Sequence, residues 1–224
     1  MIWYIVTDSS DNYTRYIDLF GHHKLRLEQI AHDCCLMLHY KQVNPRLKRE
    51  ARPWAICHSG GSALYDTYDV LEHRAYGECI RHWDIPQIGF CGGHQILATH
   101  FGSTIGPMNA VQEEEADHNP TYEPGVYKEW GVYPVHIVRR DPLFRHMGDT
   151  IQVQEYHAWE VKELGRDLQL LASSRRCRVQ SFVHKDRLVY GTQFHPEQSP
   201  ESYQDGVKVL RNFFSIARQR TRQA

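Results

Sequence analysis

An apolar strand-like run, residues 86 to 90, stops on Cys91-Gly92-Gly93, and His94 to Phe101 then resumes at helical spacing. A strand that meets a helix through a turn centred on cysteine puts that cysteine at the carboxyl edge of a parallel sheet. Gly89 and Gly93 remove side chains where strand and helix must approach closely. The cysteine sits at a helix N-terminus, where free N–H groups and the dipole favour a negatively charged sulfur. Taken alone, G-x-C-x-G fits a buried structural cysteine beside a glycine-rich turn equally well.

The rest of the chain sets this elbow in an alternating pattern. Residues 2 to 7 read as a buried strand and 24 to 33 as a helical stripe through Leu25, Leu27, Ile30 and Ala31. An apolar run covers 34 to 38. A short strand at 53 to 57 runs into the turn His58-Ser59-Gly60-Gly61-Ser62, and a helix is expected from 68 to 83. Residues 106 to 130 contain three prolines and the run Glu113-Glu114-Glu115, and read as a long surface excursion. Short strands are expected at 132 to 138, 151 to 154, 168 to 172, 179 to 184 and 188 to 193. An amphipathic helix from 205 to 218 carries Val207, Leu210, Phe213, Phe214 and Ala217 on one face. Strands alternating with helices predict an α/β fold: a largely parallel twisted sheet flanked by helices, with a small additional antiparallel part. No repeat or linker divides the 224 residues, so a single domain over 1 to 224 is expected.

Bulk chemistry removes several classes of partner. The formal net charge is -1, which offers no general attraction to nucleic acid or to an anionic membrane. The first apolar run is six residues, too short for a signal-peptide core, and no stretch reaches the length of a membrane span. The six cysteines show no paired C-x-x-C spacing, so reduced thiols in the cytoplasm are expected. The fifteen histidines are scattered and suggest no metal site.

Two further segments carry chemistry. A strand ends in His195-Pro196-Glu197, and side chains two apart on an extended segment share a face. A carboxylate there can orient the imidazole and stabilise its protonated form. The turn 58 to 62 could direct backbone N–H groups at an oxyanion formed when a thiolate attacks an amide carbon. Each segment alone also fits an ordinary turn. Together with Cys91 they supply nucleophile, base, orienter and oxyanion donors.

On these segments the sequence resembles the class I (triad) glutamine amidotransferases, which include the amidase domains of GMP synthetase, anthranilate synthase and carbamoyl phosphate synthetase. GFCGGHQ fits the family's G-x-C-x-G-x-Q, QFHPE is identical to its acid-base segment, and Ser59-Gly60-Gly61-Ser62 stands for S-G-G-P. The resemblance covers residues 54 to 214, and the GMP synthetase type looks closest. It implies a flavodoxin-like amidotransferase fold, no cofactor and no metal. It implies Cys91 as nucleophile, His195 as base and Glu197 as its orienter. Gly61 and Gly92 become oxyanion donors, and Gly60, Gln95, Tyr156 and His157 become glutamine contacts. Two departures bear on the site. Ser62 in place of proline leaves the oxyanion turn less restrained, which would allow a partner to set it. Ala158 stands where several relatives have glycine.

The implied reaction is hydrolysis of the side-chain amide of L-glutamine through a cysteinyl γ-glutamyl thioester. No phosphate loop G-x-x-x-x-G-K-[ST] is present, so an ammonia-accepting synthetase is expected as a separate subunit. The alternatives are a free-standing γ-glutamyl hydrolase of the same fold and a non-catalytic regulatory or binding module. Excursion 106 to 130, longer than in typical relatives, is expected either to contact a partner or a specific substrate or to be a disordered surface insertion.

Overall fold

The computed structural model describes residues 1–112 and 115–223, with the side chains of all but Arg222 and Gln223. Glu113 and Glu114 of the acidic run lie outside the described residues. The elements in chain order are β1 (Ile2–Val6), α1 (Ser10–Arg15), α2 (Ile17–Ala31), β2 (Cys35–His39), α3 (Pro45–Ala51) and β3 (Ile56–His58). There follow α4 (Arg74–His82), β4 (Gln87–Phe90), α5 (Gly92–His100), β5 (Thr104–Pro107), β6 (Glu129–Ile137) and β7 (Thr150–His157). The chain closes with β8 (Trp159–Glu163), β9 (Leu168–Ser173), β10 (Ser181–His184), β11 (Val189–Thr192) and α6 (Asp205–Gln223).

Nine strands form one sheet in the order β2-β1-β3-β4-β11-β10-β9-β6-β7. The pairs from β2 through β11 are parallel. The pairs from β11 through β7 are antiparallel. A separate antiparallel ribbon joins β5 to β8. Every residue of β1 is buried, which a central strand covered on both faces requires. Alternate side chains serve opposite faces. Ile2, Tyr4 and Val6 pack with Phe20 and Leu27 of α2 and Leu210, Phe213 and Phe214 of α6. Trp3 and Ile5 pack on the other face with Tyr76 and Ile80 of α4 and Ile96 and Leu97 of α5. The apolar face of α6 expected from its spacing is buried as a whole.

Local expectations fail where tertiary contacts decide the backbone. The helix expected over 68 to 83 starts only at Arg74. Before it, Tyr68 donates to the Thr7 carbonyl at 3.1 Å and Asp69 accepts from Tyr40 at 2.5 Å. Those anchors hold the segment in a non-helical path. The helix expected over 24 to 33 begins earlier, at Ile17. Strand β8 lies outside the expected set; it pairs with β5, distant in the chain, with Ile105 opposite Val161, so no local signal marks it.

The expected excursion is neither free nor wholly irregular. It opens within β5, returns into β6, and is drawn together by the Ala110–Val126 bridge. Met108 and Lys128 are buried at its base. The Lys128 ammonium donates to Asp117 Oδ1 at 2.7 Å and to the carbonyls of Glu123 and Val126, both at 2.9 Å. Three acceptors match the three N–H donors of an ammonium. The segment is a strap rather than a surface ornament.

Candidate active site

The carboxyl ends of β3, β4 and β11 converge on one point of the sheet. Cys91 follows β4 directly and is the N-cap of α5, with φ 45° and ψ -106°. Positive φ is strained for a residue with a Cβ, and such strain persists only where the surroundings enforce it. They do so here. The Cys91 N–H donates to Thr192 O at 2.9 Å. A Cβ on Gly93 would lie 2.6 Å from His58 O, so only glycine lets α5 approach β3 this closely.

His195 follows the end of β11, and its backbone N–H donates to Gln154 O at 2.8 Å. Its ring Nδ1 lies 2.8 Å from Glu197 Oε1. The two residues do not share an extended face as expected: 196 to 198 form a 3-10 turn opened by Pro196. Proline suits the first position of such a turn, and the tight winding brings the carboxylate back to the ring. Burial works against a charge on His195, but Glu197 and Cys91 outweigh it and hold its pKa well above the ordinary histidine value. Burial likewise opposes charge on Glu197, and the imidazole outweighs it, so its pKa falls below the usual carboxylate range.

The anticipated site residues collect around two adjoining spaces. Gly61, Cys91, Gln95 and His157 line a small cavity of about 20 Å³, together with Tyr65, Tyr122 and Trp159. Gly60, Gly61, Cys91, Tyr156, His195 and Glu197 line an open cleft beside it. Gly92 contributes backbone: its carbonyl accepts from Tyr65 Oη at 3.3 Å. The Cys91 thiol points to Tyr156 O at 3.7 Å.

Two of the expected glutamine contacts have occupied side chains. The Gln95 amide donates to Trp159 O at 2.7 Å and accepts from Tyr65 Oη at 2.8 Å. The His157 ring bonds Trp159 O through Nδ1 and Glu129 Oε2 through Nε2, both at 3.0 Å. His157 therefore clamps β7 to β6 and β8. Glu129, His157 and Cys177 are close enough to hold a metal ion. The Glu129 carboxylate also accepts from Ser174 Oγ at 2.9 Å and Gln180 Nε2 at 2.7 Å, so protein donors already satisfy it.

Sequence reasoning missed four neighbours of the thiol. Tyr65 and Trp159 frame the small cavity, and Tyr122 reaches it from the strap. Glu155 is wholly buried beside Tyr156, and its carboxylate oxygens make no hydrogen bond among the described residues; Oε2 lies 3.4 Å from His157 Nε2. Burial, then the charge of Glu129, push its pKa well up. Tyr65, three residues after Ser62, is the one recoverable from spacing. Trp159 and Glu155 arrive on strands paired with distant partners, and Tyr122 on the strap between β5 and β6.

Among the described residues no helix is long and apolar enough to cross a membrane. Residues 23–217 match the family described as Glutamine amidotransferase class-I. The chain is similar to a glutamine-hydrolyzing GMP synthase subunit of Methanobrevibacter smithii, 33% identical over 64% of this chain and 65% of that one. It is similar to the same subunit of Thermococcus kodakarensis, 32% identical over 74% of this chain and 76% of that one. The crystal structure of a protein described as a GMP synthase subunit from Thermoplasma acidophilum superposes with a TM-score of 0.76, at 26% identity, over 100% of this chain and 97% of that one. The elbow at Cys91, the His195–Glu197 pair and the match over residues 23–217 lead to one assignment: this chain belongs to the class-I glutamine amidotransferase family.

Proposed function

We propose that the chain, acting as one amidase domain over residues 1 to 224, hydrolyses the side-chain amide of L-glutamine to glutamate and ammonia. The observation that carries the reading is the strained Cys91 elbow, packed against an imidazole that is itself held by a buried carboxylate at 2.8 Å.

In this reading the Cys91 sulfur attacks the amide carbon, and the carbonyl π electrons move to oxygen. The Gly61 and Gly92 N–H groups face that oxyanion. His195, kept protonated by Glu197, delivers its proton to the amide nitrogen. The C–N bond breaks and ammonia leaves, with a γ-glutamyl thioester on Cys91. His195 then takes a proton from water as the water attacks, and the C–S bond breaks to release glutamate. Glu197 stays ionised and orients the ring.

The names of the relatives, glutamine-hydrolyzing GMP synthase subunits, support delivery of the ammonia to a separate synthetase subunit. The six free cysteines fit a cytoplasmic setting. The test is release of glutamate and ammonia from glutamine by the purified chain, alone and with a co-purifying subunit. Turnover that disappears in Cys91→Ala supports the reading. Hydrolysis of other γ-glutamyl amides but not glutamine points instead to a free-standing γ-glutamyl hydrolase. No hydrolysis of either points to a binding module.

A further inference from the structure

The turn after β3 lacks the family's proline at Ser62, yet it is firmly held. Strands β1 and β3 run parallel with Ile5 opposite His58. Three residues further along each chain, Asp8 comes beside Gly61: a Cβ on Gly61 would lie 3.4 Å from Asp8 Cγ. The Asp8 carboxylate takes the turn's next two backbone amides. Oδ2 accepts from Ser62 N at 2.8 Å and from Ser62 Oγ at 3.3 Å, and Oδ1 accepts from Ala63 N at 3.1 Å. The expectation of a loose turn is therefore corrected, and for a physical reason. Proline would stiffen φ but could not donate to Asp8; serine supplies the N–H that the carboxylate grips.

Asp8 is itself immobilised. It is 2% exposed, and Oδ1 also accepts from Ser9 N at 2.8 Å and Asn12 Nδ2 at 3.0 Å. Its carbonyl bonds His39 Nε2 at 2.9 Å. The peptide on the other side of Gly61 is fixed too, because Ser59 Oγ donates to Gly60 O at 2.6 Å. Carbonyl and N–H point in opposite directions across a trans peptide. Anchoring Gly60 O to Ser59 therefore sets the direction of the Gly61 N–H, and Asp8 sets the peptide that follows.

We propose that Asp8 is a positioning residue for hydrolysis: its carboxylate holds the Ser59-Gly60-Gly61-Ser62 turn so that the Gly61 N–H meets the oxyanion formed at Cys91. The inference rests on the amidase reading above.

The test compares two reactions of the same thiol. Amide hydrolysis passes through an oxyanion, whereas alkylation of Cys91 by iodoacetamide does not. In Asp8→Ala, kcat for glutamine should fall about 100-fold, the lower end of the effect of losing one oxyanion donor. KM should move little, and the Cys91 alkylation rate, followed by mass mapping, should be preserved. Asp8→Asn keeps one acceptor oxygen and should fall between wild type and alanine. Ser62→Pro should lower kcat in this chain, and should lower it more than Ser62→Ala, which keeps the N–H and loses only the hydroxyl. If Asp8→Ala does not fold, Asp8→Asn and the Ser62 pair carry the test. An unchanged kcat in Asp8→Asn and Ser62→Pro overturns the proposal, as does alkylation slowed in step with hydrolysis. A wild-type chain that releases no ammonia, by itself or with its co-purifying subunit, overturns the amidase reading and this inference with it.

Discussion

The Nδ1 atom of His195 lies 2.8 Å from Glu197 Oε1, both side chains are buried, and the pair lines the same cleft as the Cys91 thiol. The opposed pKa displacements of the two residues define a pH window. Hydrolysis should fail on the acid side when Glu197 takes a proton, below the usual carboxylate range. On the alkaline side it should fail only when His195 loses its proton, above the usual histidine range. Glu197→Gln removes the strongest support for the imidazolium, so the alkaline limb of kcat/KM should move to lower pH. A limb that stays in place would contradict this coupling.

His195→Ala should be nearly as damaging as Cys91→Ala, since a nucleophile and its base act as one unit. Glu197→Gln should leave more activity than either. A diazo-ketone analogue of glutamine should label Cys91 alone. Cys34, the exposed thiol, lacks the elbow and should stay unlabelled. Label mapped to Cys57 or Cys177, both buried in the core, would refute the nucleophile assignment.

Glu155 carries a stability prediction. Its pKa is raised in the folded protein by burial and by Glu129, so folding takes up a proton at pH values above the usual carboxylate range. The stability present below the unfolded pKa is lost as pH rises above it. Glu155→Gln removes that dependence. The variant should melt higher than wild type at pH 7 to 8, by roughly 2–4 °C or more for each kcal/mol relieved. The gap should close near pH 4, where the unfolded chain also holds the proton. Equal midpoints at both pH values would show that Glu155 is ionised in the fold.

The strap from Met108 to Lys128 should govern access to the thiol. Tyr122 lines the small cavity, and Trp159 Nε1 donates to Glu123 Oε1 at 3.3 Å beside it. Deleting residues 112 to 122 should speed alkylation of Cys91 and raise KM for glutamine by about tenfold, equivalent to about 1.4 kcal/mol of lost binding. Unaltered KM, alkylation and partner binding would reduce the strap to decoration.

How far the site could be read in advance depended on how local each signal is. Cys91, His195 and Glu197 lie in two short segments whose glycines, proline and spacing are visible residue by residue. Asp8 also lies at a strand end, but nothing around it announces that it faces a turn 54 residues away; only the register of β1 on β3 does that. The same holds for Tyr122 and Trp159, which reach the thiol through β5, β6 and β8.

The sequence by itself determined the strand–elbow–helix at Cys91, the parallel α/β architecture and the apolar face of α6, because turn chemistry and periodicity act over a few residues. Tertiary structure alone decided the size and strand order of the antiparallel part from β10 to β7, the strap over the cavity and the non-helical path of residues 68 to 73. It also replaced the expected loose turn with one clamped by Asp8. Strand register and buried hydrogen bonds link residues distant in the chain, and their strength appears only when burial removes water as the competing partner.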